Sequence, residues 1–193
     1  MPARRWREAC ALAGEAIVPD GRPITARHDY CQALRAPQGT VVEIHRWLCP
    51  RGLFTIDHQG LFARAVEHRP TAEDTLLTLV VHAAKHGFRL PLRAVVDTRR
   101  VVERLRPDGK LVASRALAWG AARATLAWLE RCGVADLVAP HLAGVGAAPT
   151  EGTGRLLGIL LATDRPRRAV SFVSQRLVLH AADALWRLAG VRA

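Results

Sequence analysis

The chain has 193 residues (21.1 kDa), half of them apolar, 23% charged and 5% aromatic, with a formal net charge of +11. A chain of this size buries roughly 70% of its unfolded surface, so the numbers exclude a disordered tail or a rod and point to one domain, or one domain with an appendage. Only Lys85 and Lys110 are lysines. The basic side is otherwise arginine, whose planar, permanently charged fork suits phosphates and carboxylates.

Cys10, Cys31, Cys49 and Cys132 stand far apart, with no C-x-x-C pair and no histidines at zinc-finger spacing. Neither a disulfide framework nor a structural zinc site is indicated. The longest apolar runs, such as residues 156–162, fall short of the roughly 18 residues a membrane span requires. Arg4, Arg5 and Arg7 precede an apolar stretch interrupted by Glu8 and Glu15, unlike a signal peptide. The expectation is a cytoplasmic protein with no membrane partner.

In chain order, residues 3–17 have a helical composition and meet Pro19-Asp20-Gly21. Two extended candidates follow, residues 27–35 and 40–48, joined by Ala36-Pro37-Gln38-Gly39. Pro second and Gly fourth suit a type I turn, hence a β-hairpin. Alternation in the second strand groups Val42, Ile44 and Leu48 on one face and Glu43, His45 and Trp47 on the other.

Beyond Cys49-Pro50-Arg51-Gly52 the chain reads as helical almost to its end. Thr71 and Asp74 resemble a cap for a helix that runs to about His86 and stops at Gly87. Leu76, Val80, Ala83 and Ala84 form its apolar stripe, while Thr75, Thr78, His82, Lys85, His86 and Arg89 gather on the other side. Pro91 suits the first turn of the next helix, in which Asp97 can pair with Arg93 or Arg100. A long helix is expected over residues 111–131, closed by Gly133. Trp119, Trp128 and Trp186 are expected as core or interface anchors. Asp164 and Pro166 open a last helix reaching about Leu188. The boundaries read as an α+β portion over 1–55, a helical bundle over 56–139, a linker over 140–154 rich in Gly, Pro and Ala, and a helical pair over 155–193.

Val41-Val42-Glu43-Ile44-His45-Arg46-Trp47-Leu48 resembles the V-[DE]-L-H-W-x-L strand of an uncharacterised nucleotidyltransferase family in the DNA polymerase β-like superfamily. Leu76 to Phe88 followed by Leu92 to Asp97 is similar to the same family's L-L-x-L-x-x-H-x-x-[KR]-H-[GW]…L-R-x-L-x-D segment. The resemblance covers roughly residues 25–135. It implies an α+β fold: a partial nucleotidyltransferase-like sheet, here the hairpin, followed by a mainly α-helical C-terminal region. It also implies transfer of a nucleotidyl group from an NTP to an acceptor hydroxyl, with Mg²⁺ held by three carboxylates.

By that resemblance Glu43 is the catalytic, metal-binding third acid, and His45, His82, Lys85, His86 and Arg89 are substrate-binding candidates. The other two acids belong to a D-x-D strand after a Gly-Ser turn. None of the 17 acidic residues stands two positions from another, so these residues are expected to begin after that strand. Activity would then be lost or would depend on a partner that supplies it. The alternative is a non-catalytic basic helical module binding an acidic protein or nucleic acid, with a partner chain adding to an exposed sheet edge. Bland readings stand beside these: Glu43 paired with an arginine, His45 bonded within the sheet, His82 and His86 in a polar packing seam or as a metal-binding i,i+4 pair, and Lys85 a solvated charge.

Overall fold

A computed structural model describes Glu8, residues 10–12, 15–16, 31–35, 37–45, 47–49, 52–149, 155–165, 167, 170 and 174. Two compact units emerge, one holding the sheet and one spanning Arg51–Leu177.

In the first unit, Gly39 takes φ +83°, a left-handed value that glycine adopts without a Cβ clash, and the chain reverses there. Strands β2 (Cys31–Arg35) and β3 (Val41–His45) pair antiparallel across this turn, with Ala33 opposite Glu43 and Cys31 opposite His45. The hairpin is therefore present; residues 27–30 of its expected first strand lie outside the described residues. A two-residue strand β1 (Glu15–Ala16) joins the other edge of β2, which gives the order β1-β2-β3. This corrects the helix read over residues 3–17: Glu8 and residues 10–12 are helical, but Glu15 and Ala16 are not. Glycine at position 14 disfavours helix, and β2 offers the next two residues ladder partners, so pairing overrides composition.

The second unit is helical: α1 (His58–Arg64), α2 (Ala72–Lys85), α3 (Leu92–Leu105), α4 (Gly109–Trp119), α5 (Ala122–Cys132) and α6 (Arg155–Ala162). Helix α2 is central and packs on α3, α4, α5 and α6. Its buried face is accordingly wider than the four-residue stripe in the sequence, since Leu77, Val81 and Lys85 are buried beside Leu76, Val80, Ala83 and Ala84. Each such Leu or Val contributes about 1.5–3 kcal/mol by leaving water. Trp119 and Trp128 lie in the core, as their spacing suggested. The Trp128 Nε1–H donates to the buried Thr98 hydroxyl at 3.0 Å, and that hydroxyl donates to the Ala94 carbonyl at 2.8 Å. Trp186 and the distal part of the last helix lie outside the described residues.

Among the described residues three carboxylates cap helices. The Asp57 side chain accepts from the Gly60 N–H at 2.8 Å and the Asp108 side chain from the Leu111 N–H at 3.1 Å, each at the start of its own helix. The third acts from afar. The helix expected over 111–131 breaks at Gly120, where φ is +70°, and Ala121 donates back to the Ala116 carbonyl at 2.8 Å. Ala121 has no side chain with which to cap α5. Asp164 does so instead, with Oδ2 accepting from the Ala122 N–H at 2.8 Å and Oδ1 from the Arg123 N–H at 2.9 Å. The aspartate read as the opening of the last helix thus caps the start of a helix 42 residues earlier in the chain. Asp164→Ala should lower stability by about 1–2 kcal/mol, measured by urea denaturation of the whole chain; an unchanged midpoint would refute the remote cap.

The segment read as a linker, residues 140–154, begins within a 3-10 turn over Ala139–His141 and buries Leu142 and Ala148. The Ala148 N–H donates to the Arg123 carbonyl at 3.2 Å, so Ala148 is tied to α5, and residues 150–154 lie outside the described residues.

Candidate functional site

The candidate residues occupy two places in the chain. Glu43 and His45 both lie on β3. His45 is exposed, and the Glu43 side chain lies outside the described residues. Among the described residues β3 occupies one edge of the sheet, β2 being its neighbour.

The second group lies at the C-terminal end of α2. His82 and Lys85 belong to its last turn and His86 is its C-cap residue. The imidazoles of His82 and His86 face each other with ring centroids 4.8 Å apart and planes inclined at 54°. His82 is exposed and His86 half-buried. Lys85 is only 8% exposed, which corrects the reading of a solvated surface charge: the covered side of α2 extends to Lys85, while His82 in the same turn faces out.

The chain leaves this helix through two consecutive left-handed residues, Gly87 at φ +63° and Phe88 at φ +59°. The Phe88 N–H donates to the Ala83 carbonyl at 2.9 Å, and the Arg89 N–H returns to the His86 carbonyl at 3.3 Å. A phenylalanine in this conformation costs on the order of 1–3 kcal/mol. Its side chain is 1% exposed, so burial offsets the strain and fixes where Arg89 emerges. The structure thus gathers His82, Lys85, His86 and Arg89 at one helix end. Arg93, two residues after Pro91, pairs with Asp97 at 3.6 Å, one of the two partners that the spacing offered.

Among the described residues, the largest charge network has no local signature in the sequence. Asp74, fully buried, receives Arg64 through Nε at 3.0 Å and Nη2 at 3.1 Å, and Arg115 through Nη1 at 3.1 Å. Arg115 also reaches the Thr71 hydroxyl at 2.9 Å and Glu73 at 3.4 Å. Burial pushes the Glu73 carboxyl up, but the Asp108 N–H, the Thr71 hydroxyl, its own N–H and Arg115 together outweigh it and hold the group below its ordinary value. The Thr71–Asp74 spacing signalled the cap, which forms with the Asp74 N–H at 3.3 Å from the Thr71 hydroxyl. Nothing local signalled Arg115, 44 residues from Thr71. This network ties α1, α2 and α4 together and is structural.

The family comparison identifies a nucleotidyltransferase-like protein. Residues 6–134 match the family described as uncharacterised nucleotidyltransferase, and the chain belongs to that family. Comparison with curated proteins and with solved structures gave no match. No helix among the described residues is long and apolar enough to cross a membrane.

Proposed function

We propose that this chain contributes residues to nucleotidyl transfer: in the first unit Glu43 as one metal-binding carboxylate and His45 as a substrate contact, and in the second unit His82, Lys85, His86 and Arg89 as contacts for substrate phosphates. The observation that carries the reading is the family match over residues 6–134, which contains both β3 and the end of α2. The reaction class is transfer from an NTP to a hydroxyl acceptor. The same match weighs against a purely non-catalytic basic module.

Magnesium demands near-octahedral oxygen ligation, in such sites from several carboxylates and the substrate phosphates. Among the described residues no cluster of three or more His, Cys, Asp or Glu could hold a metal, and no D-x-D occurs in the 193 residues. These residues alone therefore do not fit a catalytic Mg²⁺ pair. In this reading activity depends on a partner that supplies two further carboxylates; among the described residues β3 lies at one edge of the sheet, where a partner's strand could pair. Since phosphoryl transfer depends almost wholly on positioning and charge stabilisation, the 193 residues by themselves should release no measurable pyrophosphate.

Isothermal titration with ATP and GTP, with and without Mg²⁺, tests the binding half of the proposal. Nucleotide should bind, Arg89→Ala should weaken it about tenfold for one lost charge-assisted contact, and Glu43→Ala should remove the enhancement by Mg²⁺. No heat at millimolar nucleotide, together with indifference to Glu43→Ala, would overturn the enzymatic reading.

A further inference from the structure

We propose that His82 and His86 form a two-histidine site for a borderline divalent transition ion such as Zn²⁺, Ni²⁺ or Cu²⁺, distinct from any Mg²⁺ at Glu43 and independent of nucleotide. Helix α2 sets the two imidazoles one turn apart on the same side, with centroids 4.8 Å apart. Two metal–nitrogen bonds of about 2 Å place the ligating nitrogens roughly 3–3.5 Å from each other, which rings at this separation reach by tipping adjacent edges together. Each imidazole has two nitrogens, so one can ligate while the other keeps a hydrogen-bond partner, the arrangement usual for metal-bound histidine.

Three further considerations set the class of ion. Neutral imidazole selects Zn²⁺, Cu²⁺ and Ni²⁺, whereas Mg²⁺ takes oxygen. His82 lies in the last turn of α2 and His86 caps it, where the negative end of the helix dipole favours a cation. Two protein ligands leave open positions for water or for a phosphate oxygen. Lys85 in the same turn and Arg89 just beyond it are cationic and oppose the ion, so the affinity should be modest.

The test is zinc titration of the untagged full chain by calorimetry without nucleotide, paired with the electron paramagnetic resonance spectrum of the copper-loaded protein. One ion per chain and a signal split by two nitrogens are expected. His82→Ala and His86→Ala should each weaken binding by about tenfold or more, the scale on which disturbing a metal's ligand shell acts. His141→Ala, an exposed histidine elsewhere in the same unit, and Glu43→Ala should leave it unchanged. Because the His82 ring is exposed, that variant decides the matter even if His86→Ala fails to fold. Absence of binding at millimolar zinc, or binding that survives His82→Ala, would overturn the proposal. So would equal loss with His141→Ala or Glu43→Ala.

Discussion

Asp74→Ala should cost the chain about 3–5 kcal/mol of folding stability, the penalty for removing one partner of a buried ion network. Asp74 is fully buried, whereas the Arg64 and Arg115 side chains are 31% and 19% exposed. Removing the carboxylate leaves two guanidinium groups facing each other with little water to solvate them. Asp57 reaches Arg64 only at 3.7 Å and Glu73 reaches Arg115 at 3.4 Å, so neither acid replaces what is lost. The comparison that isolates this cause is the triple variant Asp74→Leu, Arg64→Met, Arg115→Met. Apolar groups of similar volume avoid the orphaned charges and should recover most of the loss. Denaturant midpoints of the full chain measure both. A single variant within about 0.5 kcal/mol of the parent would place it in the range of ordinary surface changes and refute the network's role.

Gly109→Ala should also destabilise, against the usual sign. Alanine in a helix normally gains close to 1 kcal/mol over glycine, and Gly109 is the first residue of α4. Here a Cβ would land on the backbone carbonyl oxygen of Leu137. That oxygen belongs to the 3-10 turn over Ala135–Leu137 and cannot rotate aside as a side-chain end would. The cost should be about 1–3 kcal/mol, the range for overpacking. Ser114→Ala, an exposed position on the same helix, should be neutral or slightly stabilising. A thermal melt in which both variants gain stability would show that the close approach is not real.

Features written in a few adjacent residues were legible in the sequence. The Pro37-Gln38-Gly39 turn forms, and α2 starts at its Thr71 cap and ends before Gly87. Asp97 takes Arg93 as its partner. Features set by distant partners were not legible. Glu15 and Ala16 become strand only because β2 lies beside them. The helix break at Gly120 was hidden because apolar residues continue on both sides of it, and the cap that makes a new start possible comes from Asp164. Lys85 looks solvated on a helical wheel until α2 is known to be central. At the candidate site the histidine pairing followed from spacing alone. The strained exit through Phe88 did not, since phenylalanine is not a residue one assigns to a left-handed position.

The Asp164 cap also separates ancestry from mechanics. The family match ends at residue 134, yet the first peptide groups of α5, inside the match, are satisfied by a carboxylate 30 residues beyond it. Leu137, against which α4 begins, lies outside it as well. The unit that evolution shares is therefore shorter than the unit that must fold. A fragment trimmed to the shared region would carry an uncapped helix and an unsupported one in its own core.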